Sequence, residues 1–88
     1  MTYRIIISKS VTKQLDKLPD SITPRVISTI KSLSQKPRPD GVKKLKGYRN
    51  QYRVRVGSYR IRYEIEDELK NVKILQCKHR KDVYKDKD

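Results

Sequence analysis

The apolar positions change period along the chain, and each change marks an element. Tyr3-Arg4-Ile5-Ile6-Ile7-Ser8 is rich in β-branched residues and predicts a strand. From Lys9 to Leu18 the spacing becomes helical: Val11, Leu15 and Leu18 fall at i, i+4 and i+7, on one face. Ser8 or Ser10 offers an N-cap, and Pro19 ends the element. A second helix is predicted from about Asp20 to Ser34, with Ile22, Val26, Ile27, Ile30 and Leu33 on one stripe. Pro24 falls within its first turn, where an amide has no helical acceptor to lose. The two helices form an antiparallel hairpin with one apolar side that needs a surface to cover.

Gln35 to Asn50 reads as a loop, punctuated by Pro37, Pro39, Asp40-Gly41 and Gly47. After it the period becomes two. Tyr52, Val54 and Val56 alternate with Arg53 and Arg55, and Tyr59, Ile61, Tyr63 and Ile65 alternate with Arg60, Arg62, Glu64 and Glu66. Gly57-Ser58 between them is a two-residue, glycine-first hairpin loop. Asp67 to Asn71 makes the next turn, Val72 to about His79 a last strand, and Arg80 to Asp88 a charged tail. The class is α+β in the order β-α-α-β-β-β, a small antiparallel sheet packed on a helical hairpin, with residues 1–88 forming one domain.

Composition narrows this further. Leu, Ile and Val are 25% of the 88 residues, with no Phe or Trp. That lies above the roughly 20% below which a highly charged chain stays disordered, so a lean core is expected. One cysteine forms no internal disulfide, which points to a reducing cytoplasm. The longest apolar run, Ile5-Ile6-Ile7, excludes a membrane span. One Cys and one His cannot supply four zinc ligands, so neither metal nor other cofactor is expected.

Charge supplies the chemistry. The net charge is +13, and from Lys43 to Arg62 the chain carries Lys43, Lys44, Lys46, Arg49, Arg53, Arg55, Arg60 and Arg62 with no acid. Such a patch fits a polyanion, nucleic acid first. A face serving solubility alone would do as well with mixed charge. If Gly57-Ser58 is the loop, Arg55 pairs with Arg60 and Arg53 with Arg62, so four guanidinium groups share one exposed sheet face. Like charges so placed cost a few tenths to about 1 kcal/mol per pair. An anion over that face would offset the cost, since guanidinium forks bind phosphate bidentately.

The order of elements, the Lys44-Leu45-Lys46-Gly47 turn, the run Tyr52-Arg53-Val54-Arg55-Val56-Gly57-Ser58-Tyr59-Arg60-Ile61-Arg62-Tyr63 and the ending His79-Arg80-Lys81-Asp82-Val83-Tyr84 resemble the RelE branch of the RelE/ParE toxin superfamily. The resemblance implies a type II toxin neutralised by a RelB-like antitoxin, here expected to be acidic or amphipathic. It also implies a metal-independent endoribonuclease that cuts mRNA in the ribosomal A site. In such cleavage the 2′-hydroxyl attacks the neighbouring phosphate and the 5′-oxygen departs in line, which needs a base, a cationic clamp and an acid. Carried over residue by residue, the catalytic positions fall on Arg53, Arg55, Arg60, Lys78, Arg80 and Tyr84.

The best-studied member has lysines where this chain has Arg53 and Arg55. With a pKa above ~12, arginine is a poor general base, which leaves His79 and Tyr84 as substitutes and makes the arginines phosphate clamps. Lys43, Lys44, Lys46, Arg49 and Arg62 are expected to hold RNA, including ribosomal RNA, by charge. Plainer roles stand beside these: His79 as a surface strand residue, Tyr84 packing the tail, Cys77 as a small buried hydrophobe, and Tyr48, Tyr52, Tyr59 and Tyr63 as core or rim residues. A ParE-like gyrase inhibitor, or a weakened toxin that only binds the ribosome, are the alternatives.

Overall fold

Each predicted period is found in the computed structural model, which describes residues 2–79 and 81. The elements run β1 (Arg4–Ile7), α1 (Lys9–Asp16), α2 (Thr23–Ser32), β2 (Lys43–Lys44), β3 (Gln51–Val56), β4 (Tyr59–Glu66) and β5 (Asn71–His79). Ser8 caps α1: its hydroxyl accepts from the Val11 amide at 3.3 Å, satisfying a first-turn donor that has no helical partner. The helix stops short of Leu18 because the Lys17 and Leu18 amides turn to the carbonyls of Gln14 and Leu15, each at 3.2 Å. The Ile22 and Thr23 amides both bond the Pro19 carbonyl, at 3.0 and 3.1 Å, so Pro19–Ile22 is a turn and α2 begins only afterwards.

The sheet order is β1-β5-β4-β3-β2. The pairs β2–β3, β3–β4 and β4–β5 are antiparallel, but β1 runs parallel to β5, with Ile5 opposite Val72 and Ile7 opposite Ile74. The sheet is therefore mixed rather than antiparallel throughout. A parallel pair needs a long crossover, and the helical hairpin supplies part of it. The apolar run of β1 announces a strand without naming its neighbour. The predicted loop also gains β2, whose two lysines lie opposite Arg53 and Tyr52.

Val11, Leu18, Ile22, Val26, Ile30 and Leu33 from the helices and their turn meet the inward residues of β3, β4 and β5, from Tyr52 through Cys77. Intervening residues point to the opposite face. Gly57 turns the β3–β4 hairpin at φ +60°, and a Cβ there would come within 3.1 Å of Ile22 Cδ1. Glycine is thus required both by the turn and by the close approach of the helical layer.

One irregularity decides what reaches each face. Arg62 lies opposite Gln76, but Tyr63 lies opposite Ile74, so Leu75 is an extra residue in β5. A bulge re-aims the side chains beyond it. Before it, Val72 and Ile74 face the helices; after it, Cys77 and His79 take that side and Lys78 takes the other. Among the described residues no helix is long and apolar enough to cross a membrane.

Candidate nucleic-acid interface

The hairpin register is the expected one: Arg55 pairs with Arg60 and Arg53 with Arg62. The neighbouring strands extend both pairs into rows. Arg55, Arg60 and Lys78 form one, and Lys43, Arg53, Arg62 and Gln76 the next. Six cations thus occupy adjacent positions on the face away from the helices, a local cost for the sheet.

They are not equally exposed. Arg55 is open to solvent and Arg53 half-buried, whereas Arg60 is 3% exposed, with Nε and Nη1 shut off from water. The expectation of four exposed guanidinium groups is corrected at this position: facing outward did not mean facing solvent. A charge taken out of water depends on the groups around it, which fixes the Arg60 side chain far more firmly than a surface arginine. Arg55, Gly57, Ser58, Tyr59 and Arg60 line a recess of about 20 Å³ at the hairpin tip, room for one water-sized group. Arg62 is held differently. Its Nε and Nη2 donate to Gln51 Oε1 at 2.9 and 2.6 Å, and its Cζ lies 4.8 Å from the Tyr48 ring centroid.

His79 is not brought to these rows. It lies opposite Tyr59 on the helix-facing side, its ring edge-on to the tyrosine at 5.2 Å between centroids. Its Nδ1 accepts from the Lys81 amide at 3.2 Å, which places the ring proton of the neutral form on Nε2. The residue on the arginine side is Lys78. Arg80 and Tyr84 lie outside the described residues. Cys77 is 2% exposed, and burial pushes its thiol up to about 11, so it stays protonated and unreactive at neutral pH.

Lys43, Lys44, Lys46 and Arg49 are all exposed. Arg49 stands apart from the rows, sharing a shallow recess with Asn50, Glu66, Asp67, Glu68 and Leu69. The loop bearing the lysines is tied down at its start. Arg38 donates to Asp67 Oδ2 at 2.9 Å and to the Tyr52 hydroxyl at 3.2 Å, and Tyr63 donates its hydroxyl proton to the Pro37 carbonyl at 2.7 Å. Burial pushes the Tyr63 phenol up, keeping it a donor. The composition pointed to the lysines but not to Arg38, Gln51 or Tyr48, whose roles come from contacts distant in sequence. The phase of β5 did leave a trace: Val72 and Ile74 are two apart, and the next small apolar residue, Cys77, breaks that parity.

The model of the family described as ParE toxin of type II toxin-antitoxin system, parDE, matches residues 5–84. Toxin RelE3 of Methanocaldococcus jannaschii is 33% identical over 85 residues, spanning 92% of this chain and 94% of its own. Toxin RelG of Mycobacterium tuberculosis is 31% identical over 86 residues, spanning 97% and 99%. Among solved structures, the archaeal RelE–RelB complex of Pyrococcus horikoshii OT3 contains a similar chain, with a TM-score of 0.81 and 38% identity over 91% of this chain and 97% of that one.

Proposed function

Since the chain belongs to the RelE/ParE superfamily of type II toxins, we propose that it is a ribosome-dependent mRNA endonuclease, neutralised by a RelB-like antitoxin. The observation that carries the reading is the row Arg55–Arg60–Lys78 beside Arg53, cations set side by side on neighbouring strands of one sheet face. The 2′-hydroxyl of one nucleotide attacks its own 3′-phosphate, the bond to the 5′-oxygen of the next nucleotide breaks, and a cyclic phosphate forms. Negative charge grows on the non-bridging oxygens as this happens. Arg53, Arg55 and Arg60 stabilise it as pre-placed donors. Within the row only Lys78 has a proton that it can transfer, because guanidinium is not deprotonated in proteins. It is suited to protonate the leaving 5′-oxygen. His79 lies on the other face, away from the row, so of the two substitutes for the base the proposal takes Tyr84.

The antitoxin assignment rests on the similar toxin–antitoxin complexes of Pyrococcus horikoshii and Mycobacterium tuberculosis and on the +13 charge, which calls for an acidic or amphipathic partner. The matching family is described by ParE toxins, so inhibition of DNA gyrase without RNA cleavage is the second reading. Primer extension on a message translated by purified ribosomes, beside a gyrase supercoiling assay, separates the two. Cuts within A-site codons, absent on naked RNA and insensitive to chelators on intact ribosomes, support the nuclease. Inhibited supercoiling with an uncut message overturns it.

A further inference from the structure

Tyr48 departs from the other tyrosines of the sheet region. Tyr52 and Tyr63 are buried and Tyr59 half-buried, but Tyr48 keeps 42% of its surface exposed, in a stretch otherwise made of Lys, Arg, Gly and Asn. It is nevertheless not a loosely hung side chain. The Leu45 amide donates to the Gln51 carbonyl at 2.9 Å, closing the loop between β2 and β3 at its base, and Gly47 turns the chain at φ +84° just before the tyrosine. The Arg62 guanidinium lies over the ring at 4.8 Å, and its plane is fixed by two bonds to the single acceptor Gln51 Oε1. An aromatic ring is thus backed by a planar cation that is itself locked, in a residue that stays 42% exposed.

We propose that Tyr48, backed by Arg62 and Gln51, is a stacking platform for one unpaired nucleobase of the bound RNA. Aromatic rings and arginine planes are what unstacked bases seek, and a guanidinium held on one side of the ring leaves the other surface as the landing place. Arg62 belongs to the row Lys43–Arg53–Arg62–Gln76, so a base on Tyr48 has its phosphates beside Lys43 and Arg53. Phosphate contacts position a nucleic acid without reading it, whereas a base on the ring registers one nucleotide relative to the row Arg55–Arg60–Lys78. The proposal takes only the class of polymer from the nuclease reading. The cation rows supply the electrostatic grip, and Tyr48 adds a contact indifferent to salt.

The test is equilibrium binding of the full chain to a short single-stranded oligoribonucleotide and to an abasic ribose-phosphate chain of the same length, across a salt series. Tyr48→Ala weakens the base-bearing probe about tenfold, less than a full stack because Arg62 still offers a plane. It leaves the abasic probe untouched and the slope of log affinity against log salt unchanged. Tyr48→Phe binds as the parent does. Tyr48→Leu keeps an apolar cover for the Arg62 stem, guards against a folding artefact, and behaves like Tyr48→Ala. Lys43→Ala shows the contrasting pattern, weakening both probes and making the slope shallower by about one. Tyr48→Ala that binds the base-bearing probe normally, or loses both probes equally, overturns the platform and leaves the exposed ring to a protein partner. Cleavage plays no part in this assay. A chain that shows the Tyr48 pattern yet cuts no message refutes the nuclease and keeps the platform, and the reverse result does the opposite.

Discussion

The outer face of the sheet has two halves that obey different rules. Toward the turn between β4 and β5, Glu64 lies between Gln51 and Lys73, and Asn71 lies between Glu66 and Arg4. Acids there stand across from bases or amides, as in a sheet selected for folding. Toward the Gly57-Ser58 hairpin the same strands place Arg55, Arg60 and Lys78 in one row and Lys43, Arg53 and Arg62 in the next. Both halves share strands, twist and helical backing, so neither propensity nor core packing accounts for the difference. Complementary pairing was available to this chain and is used in one half. The other half sets cation across from cation, the pattern from which the proposed anionic ligand at the hairpin end is argued.

The largest effect expected of any single change is at Arg60. Arg60→Ala removes the proposed clamp, and loss of one such donor costs ~10²–10³ in cleavage rate. Because the side chain is 3% exposed, the variant also loses about 1–3 kcal/mol of stability, contrary to what an outward, solvent-exposed arginine would do. Arg55→Ala separates the two effects. Its guanidinium is exposed, so cleavage falls on a similar scale while relief of like-charge repulsion leaves stability equal or slightly higher, by at most about 1 kcal/mol. Single-turnover cleavage on programmed ribosomes and thermal melts check both. If Arg55→Ala melts lower and cuts normally, the two halves of the face do not differ in purpose.

These residues also show where sequence reading reached and where it stopped. The hairpin was legible because both its signals are local: period-two alternation and a glycine able to take positive φ. The rows followed from it, since register fixes which residues stand opposite. Arg60 was placed on the correct face but with the wrong exposure, because alternation gives direction and not cover. The side taken by Lys78 and His79 turns on one inserted residue, Leu75, and a strand with a bulge reads as regular until its partner is known. β1 gave its strand character in Ile5-Ile6-Ile7 while its parallel partner stayed hidden, since nothing local encodes a neighbour 67 residues away. Tyr48 was read with the other tyrosines as core or rim, and only its contact with Arg62 sets it apart.

A smaller effect is expected when the mixed half is made to resemble the cationic one. Glu64→Lys puts a cation opposite Lys73 and lowers stability by about 0.2–1 kcal/mol. Cleavage stays unchanged, because Glu64 lies outside the two rows. Denaturant melts and the ribosome assay report the two outcomes separately. Lost cleavage without lost stability would extend the ligand's footprint across the whole face and dissolve the contrast between its halves.

The smallest effect is a pH dependence at the mixed end. Asp67 accepts from Arg38 Nη2 at 2.9 Å and from the Tyr3 hydroxyl at 2.8 Å, and these bonds, Arg38 first, hold its carboxyl below the ordinary carboxylate value. A carboxyl depressed in the folded state stabilises the fold above its unfolded value, near pH 4, and loses that contribution as pH falls through the lower folded value. The pair is exposed, so the effect is modest and screened by salt. Asp67→Asn lacks it. At neutral pH and low salt the variant melts below the parent, and the gap closes as pH drops below about 4. Because Arg38 also bonds Tyr52 at the start of the loop that carries Lys43, Lys44 and Lys46, the variant loosens one of the ties on those lysines while the rows of β3 and β4 keep their charge. RNA affinity therefore falls slightly at neutral pH. A gap in melting temperature that persists undiminished into strong acid would mean that Arg38 and Tyr3 hold the shape of the Asp67 side chain rather than its charge.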